Sequence, residues 1–305
     1  DLVQNTSAYA HAPLIKATGF REYDARWLFG PDINALGIEA LGLGLGTLFH
    51  EYGQRRVVVG HDYRSYSLSI KQALTLGLLE AGLEVHDIGL ALSPVAYYAQ
   101  FALDIPCVAM VTASHNENGW TGVKMGAKRP LTFGPDEINA IKDIVLNGTA
   151  RERSGGSYVA EPDMRETYLA AVTKGIKLTR PIKVIAACGN GTAGAFAPEA
   201  LRRIGAEVIG MDTDLDFTFP KYNPNPEDLE MLHAMSHAVK EQGADVCLGF
   251  DGDGDRCGVV DDKGREIFAD KIGVMLARGL STKHKNPTFV VDVKSTGLYL
   301  TDPVL

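Results

Sequence analysis

Short uninterrupted apolar runs alternate with longer stretches of helical periodicity along most of this chain. An uninterrupted run reads as a strand buried on both faces, and the amphipathic stretch after it as the helix that covers the sheet. Runs at 56–60, 83–88 and 105–111 are separated by helical stretches at 67–81 and 93–102, the latter opened by the start signal Ser93-Pro94. Residues 32–52 also read as helical, although Gly42, Gly44 and Gly46 each cost about 1 kcal/mol relative to alanine. Such glycines imply close packing against another element. A further helix is expected at 135–147, opened by Pro135-Asp136-Glu137, while 1–19 are expected to be irregular. Strand–helix alternation of this kind specifies an α/β layer with parallel strands.

Residues 148–160 are polar and glycine-rich, the composition of a connector, and 163–174 read as a helix. A second unit follows: strand 182–187, helix 195–204, strand 207–211, helix 227–242, strand 245–250 and a hairpin at 257–260 and 266–268. A helix at 270–280 and a strand at 288–293 begin a third. Each unit shares one plan, an apolar strand ending in a polar turn, as in Val57-Val58-Val59-Gly60-His61-Asp62 and Val184-Ile185-Ala186-Ala187-Cys188-Gly189. The expected fold is consecutive similar three-layer α/β domains with mixed, mostly parallel sheets, over 1–158, 159–268 and an incomplete third at 269–305. A chain of 305 residues is long for one hydrophobic core.

Composition narrows the function classes. A hydrophobic content of 45% with 22% charged residues is that of an ordinary globular protein. The net charge of −8 argues against nucleic acid as the main partner, since that needs basic patches. No apolar stretch is long enough to span a bilayer, and the first residues lack the charged-then-apolar order of a signal peptide. The chain starts without methionine, so a processed, tagged or partial chain is expected. Cys107, Cys188, Cys247 and Cys257 form no CxxC pair and read as reduced thiols of a cytoplasmic protein.

Two loops carry the candidate chemistry. The run 105–111 delivers Ser114, His115 and Asn116 into a polar turn, and Lys124 follows ten residues on. A serine at the carboxyl end of an α/β strand, near a histidine and a lysine, fits a hydroxyl that carries an anionic group. A plain polar turn is the alternative. In Asp251-Gly252-Asp253-Gly254-Asp255-Arg256 the carboxylates repel one another unless a cation neutralises them, and the glycines let the backbone aim them at one centre. All-oxygen ligands suit Mg²⁺; an EF-hand fits poorly, because Arg256 occupies the position where its loop needs glycine. Gly189-Asn190-Gly191-Thr192-Ala193-Gly194 is a full G-x-G-x-x-G with Asp212 beyond the next strand, the spacing of a dinucleotide-binding oxidoreductase, or else a tight strand-to-helix turn.

Taken together these stretches resemble the α-D-phosphohexomutases, in particular the bacterial phosphomannomutase/phosphoglucomutase branch. Thr112-Ala113-Ser114-His115-Asn116 is similar to the family's phosphoserine loop and residues 251–256 to its metal loop. Residues 20–26 are similar to its amino-terminal arginine motif, and 188–191 and 219–227 to its second domain. Glu117 stands where the family usually has proline, adding a negative charge beside the serine loop; Ala25 and Trp27 replace the usual isoleucine and glycine around Arg26. The family has four domains, and the last two, which choose and clamp the sugar, are not represented beyond the start of the third.

The resemblance implies an intramolecular phosphotransferase that interconverts hexose 1-phosphate and hexose 6-phosphate of mannose or glucose. The route would run through a phosphoserine at Ser114 and a hexose 1,6-bisphosphate, with Mg²⁺ held by Asp251, Asp253, Asp255 and the phosphorylated Ser114. It implies proton-handling, phosphate-steadying or orienting roles for Arg26, Lys124, His115 and Arg256, and phosphate contacts from Arg21, Tyr23 and Asn116. The partner expected is a small phosphosugar, with neither nucleic acid nor membrane. The competing readings are an oxidoreductase using 189–194 and a non-catalytic sugar-phosphate-binding protein.

Overall fold

The computed structural model describes residues 2–305. The first sheet runs in the order β1-β5-β4-β2-β3-β6, with β1 (Ala25–Leu28), β2 (Arg56–His61), β3 (Glu84–Leu90), β4 (Cys107–Val111), β5 (Trp120–Gly126) and β6 (Ser157–Ala160). The β4-β2-β3-β6 pairs are parallel, and β5 and β1 extend the sheet antiparallel. Side chains alternate across a strand. Cys107, Ala109 and Val111 of β4 accordingly enter one apolar layer and Val108 and Met110 the other. The first layer is closed by α2 (Ala35–Glu51), α3 (Ser67–Glu80) and α5 (Pro135–Leu146), the second by α4 (Ser93–Ala102) and the start of α6 (Met164–Thr173). Two covered faces explain why these strands are uninterrupted apolar runs.

The glycines of α2 have the close-packing role their position implies. A Cβ on Gly42 would lie 2.3 Å from the Leu74 carbonyl oxygen, and one on Gly77 of α3 would lie 2.0 Å from that of Glu39. Backbone meets backbone there, with no flexible side chain to yield. Gly77→Ala gains helix propensity yet forces the helices apart. A net loss of about 2 kcal/mol is expected, read as a lower urea midpoint at unchanged slope.

The second sheet has the order β11-β10-β9-β7-β8, with β7 (Lys183–Ala187), β8 (Glu207–Met211), β9 (Val246–Phe250), β10 (Cys257–Asp261) and β11 (Glu266–Ile267). Its β8-β7-β9 core is parallel, and β10 and β11 fold back as an antiparallel hairpin. α7 (Ala197–Arg203) and α8 (Leu229–Gln242) flank it. The Asp228 carboxylate caps α8 at its start, accepting from the Glu230 N–H, and left-handed Gly243 ends it.

Several expectations are corrected. Residues 195–204 are not one helix: a 3-10 turn, Thr192–Ala195, leads through buried Phe196 into α7. Ser157–Ala160 is no connector but a short edge strand, pairing with β3 on one side and mostly exposed. The amino-terminal stretch holds a helix at α1 (Ser7–His11), capped by the Thr6 hydroxyl, and a 3-10 turn at Ala17–Gly19. Residues 288–293 do not form a strand; Val290 and Val293 are 96% and 97% exposed, because an apolar run needs neighbouring strands to pair with. After α9 (Ala269–Ser281) the described chain adds only α10 (Leu298–Thr301). No helix among the described residues is long and apolar enough to cross a membrane.

Candidate active site

β4 delivers Ser114 and β9 delivers Asp251, so both loops leave the carboxyl ends of their strands, the edge at which α/β sheets bind ligands. The two loops face each other across a cleft of about 310 Å³, lined by Arg21, Arg26, Ser114, His115, Lys124 and Arg256 among others. Ser114 Oγ donates to Asp251 Oδ2 at 3.1 Å, and His115 Nδ1 lies 3.4 Å from Ser114 Oγ. Ser114 is only 5% exposed and holds a left-handed backbone, φ +53°. Serine rarely adopts that region, and strained backbone of this sort concentrates at functional sites.

The acidic loop closes on itself around Asp251, whose Oδ1 accepts the backbone N–H groups of Asp255 and Arg256. Asp253 is fully buried; its Oδ2 accepts from Lys124 Nζ at 2.7 Å and Ser93 Oγ at 2.6 Å. Its Oδ1 has no partner. Lys124 also pairs with Asp255. One oxygen from each of the three carboxylates lies within 4.8 Å of the others. An orphaned buried carboxylate oxygen inside an all-oxygen set fits a hard divalent cation, which would supply the charge this group lacks.

Electrostatics follow from burial and crowding. Burial, then the charges of Asp253 and Asp255, push Asp251 up to about 8. Burial acts on Asp253 in the same sense, but the Lys124 ammonium beside it prevails and holds it down at about 2. Burial disfavours the Lys124 cation, yet Asp253 and Asp255 outweigh it and raise its pKa, so Lys124 stays charged. Burial, helped by Arg256, lowers the His115 pKa and keeps its ring neutral at pH 7.

The other expected site residues differ in placement. Arg26 is buried, donating from Nη1 to the Thr112 carbonyl at 2.7 Å and pairing with Asp24 at 2.9 Å, so it braces the serine loop from the side. Arg256 pairs with Glu227 at 3.1 Å. Arg21 stacks over Trp120 at the cleft wall. Asn116 lines the cleft, and its amide donates to the Ala113 carbonyl at 2.9 Å. Tyr23 is 60% exposed and does not line the cleft.

Residues given no role from the sequence prove central. Ser93 donates to Asp253, the Thr112 hydroxyl lies 3.1 Å from the same carboxylate, and Asn223 of the second unit donates to the His115 carbonyl. Asp62 and Arg64 sit beneath the serine loop; their position at the end of β2, on the edge that carries Ser114, was the one available signal. The glycine turn 189–194 is filled by protein. A Cβ on Gly189 would lie 2.9 Å from Pro224 Cα, and Thr192 N–H donates to the Gly252 carbonyl of the acidic loop. The Asp212 carboxylate accepts from Lys221 and Tyr222 instead of awaiting a ribose. This turn supports the neighbouring loop, and the dinucleotide reading is set aside.

Fold and site together define a class: α/β units in series, a strained serine on one facing a carboxylate triad on the next. Residues 17–152 match the family described as phosphoglucomutase/phosphomannomutase, alpha/beta/alpha domain I, and residues 166–264 match its domain II. The chain belongs to this family, the α-D-phosphohexomutases. A phosphomannomutase/phosphoglucomutase of Pseudomonas aeruginosa is 33% identical over 288 residues, 94% of this chain and 61% of that protein. A phosphoglucomutase of Neisseria meningitidis serogroup B is 30% identical over 92% of this chain and 60% of its own length. The crystal structure of a phosphoglucomutase/phosphomannomutase family protein from Burkholderia thailandensis superposes with a TM-score of 0.83 at 30% identity, covering 88% of this chain and 60% of that one. The chain thus spans about 61% of the length of the curated relatives it matches.

Proposed function

We propose that this chain provides the phosphoryl-carrying half of a phosphohexomutase acting on hexose 1- and 6-phosphates. Ser114 would alternate between a free hydroxyl and a phosphoserine. A sugar hydroxyl attacks phosphorus on Ser114; a new P–O bond to the sugar forms, the P–O bond to serine breaks, and the hydroxyl proton leaves to a base while Ser114 Oγ regains one. The hexose 1,6-bisphosphate then returns its other phosphoryl group by the same exchange in reverse. His115, neutral and beside Ser114 Oγ, supports a role in moving that proton. Lys124 and Arg256 bring positive charge to the cleft and would steady the transferred group, while Arg26 holds the loop.

Asp251, Asp253 and Asp255 with a phosphate oxygen on Ser114 would hold Mg²⁺, which when bound withdraws charge from phosphorus. The reading rests above all on one contact, Ser114 Oγ against the Asp251 carboxylate, two groups 137 residues apart on different sheets. Intact mass with peptide mapping, before and after incubation with a hexose 1,6-bisphosphate and Mg²⁺, tests it. One phosphoryl group on Ser114, absent from Ser114→Ala, is the expected result. Phosphate on another residue, or none on the chain, overturns it.

A further inference from the structure

Ser114 does not hold its backbone conformation unaided. Beneath it, away from the cleft-lining residues, lies an ion pair formed by Asp62 and Arg64, each with a side chain 1% exposed. Asp62 grips the strand side of the loop. Its Oδ2 accepts from the Thr112 hydroxyl at 2.9 Å and the Ala113 N–H at 3.2 Å, while Oδ1 accepts from the Ser67 hydroxyl at 2.5 Å. Arg64 grips the other side. Nη2 donates to the carbonyls of Ser114 at 3.0 Å and Asn116 at 2.7 Å, and Nη1 reaches the Glu117 carbonyl at 3.3 Å. Nε returns to Asp62 Oδ2 at 3.3 Å.

The charge of Arg64 is thus matched by one carboxylate, while most of its donors go to carbonyls of the serine loop. Only a planar fork serves several carbonyls and a carboxylate at once; a lysine ammonium would keep the charge and lose that geometry. The face of the guanidinium stacks on Phe219, 5.3 Å from its ring centre, in the segment of the second unit that also presents Asn223 to the His115 carbonyl. One side chain therefore touches the loop that carries the serine and the unit that carries the carboxylates.

We propose that Asp62 and Arg64 are positioning residues: they hold Ser114 in its left-handed conformation, with Oγ aimed at Asp251, and Phe219 ties that geometry to the seating of the second unit. The catalytic part of this statement rests on the phosphoryl-carrying role of Ser114 proposed above; the structural part stands without it.

Arg64→Lys and Phe219→Leu in the 305-residue chain test both parts. In folded Arg64→Lys, amides of residues 113–118 are expected to exchange with deuterium about tenfold faster or more, those of β2, β4 and β5 at the parental rate. The maximal rate of Ser114 phosphorylation by hexose 1,6-bisphosphate should fall about 10- to 100-fold, since small misplacements of a reacting group act on that scale. The sugar concentration giving half that rate should not change, because neither residue lines the cleft. Phe219→Leu should give a smaller effect of the same pattern.

A folded Arg64→Lys with parental loop exchange and parental maximal rate overturns the proposal. Uniformly faster exchange through the whole first sheet overturns it equally, making the pair a fold-stabilising contact only. If the parental chain takes up no phosphate, the function proposed above fails, and the exchange of 113–118 still decides the positioning role.

Discussion

Lys124→Met is expected to lower the stability of this chain by about 3–5 kcal/mol when unfolding is followed in EDTA, the usual result of removing one partner from a buried ion pair. Lys124 Nζ faces Asp253, whose side chain is fully buried, and also reaches Asp255, so one ammonium answers two carboxylates. Methionine keeps the length of the side chain and its packing, which leaves the charge as the variable. Asp253 Oδ1 already lacks a partner, and the substitution would strip Oδ2 of its only cation. A divalent ion bound by the triad would replace much of the lost charge. The deficit should therefore shrink when the same denaturation is run in saturating Mg²⁺ or Mn²⁺. Equal urea midpoints for variant and parent in EDTA would show that the triad is not held by Lys124. A deficit that ignores the added metal would count against a cation at these aspartates.

Gly252→Ala is expected to slow Ser114 phosphorylation by about 100-fold, with an overpacking cost to stability of about 1–3 kcal/mol. The Cβ of an alanine there would lie 2.5 Å from the Ser114 carbonyl oxygen, across the boundary between the two sheets. That oxygen also accepts from Arg64, so it has little freedom to retreat. The added methyl must push the acidic loop off the serine loop, lengthening the Ser114–Asp251 approach on which the proposed chemistry depends. Gly279, with open space around its Cβ position, supplies the control Gly279→Ala. A time course of intact mass with hexose 1,6-bisphosphate and Mg²⁺ measures both variants. A parental rate for Gly252→Ala would mean that the two loops need not approach so closely for transfer.

Legibility differed by element, for physical reasons. The central strands β2, β4 and β7 are buried on both faces and β9 is apolar on both, so each reads as a plain apolar run, and all four were visible at nearly their observed limits. β1 and β5 were not. They carry Arg26 and Lys124, whose charges are accommodated only because the cleft supplies Asp24, Asp253 and Asp255, partners that no local pattern records. The opposite error occurred at 288–293, where a valine-rich run reads as a strand, yet strand formation is a property of the pair and not of the segment.

The candidate site divides the same way. Ser114 with His115, and the three aspartates spaced by glycine, are contiguous, so their chemistry was already written in residue type and spacing. The glycine turn at 189–194 also carried the spacing of a different chemistry, and Pro224, Thr213 and Gly252 packed against it reveal a support for the acidic loop. What the sequence by itself determined is which residues are candidate reacting groups and the α/β elements that carry them, because both depend on neighbours within a few positions. Which groups meet was decided by the tertiary structure. The contacts of Ser114 with Asp251, of Lys124 with Asp253 and of Arg64 with the serine loop join residues 137, 129 and about 50 positions apart. The first two contacts need the two sheets to be brought together and the third needs β2 and β4 to pair, neither of which any local periodicity encodes.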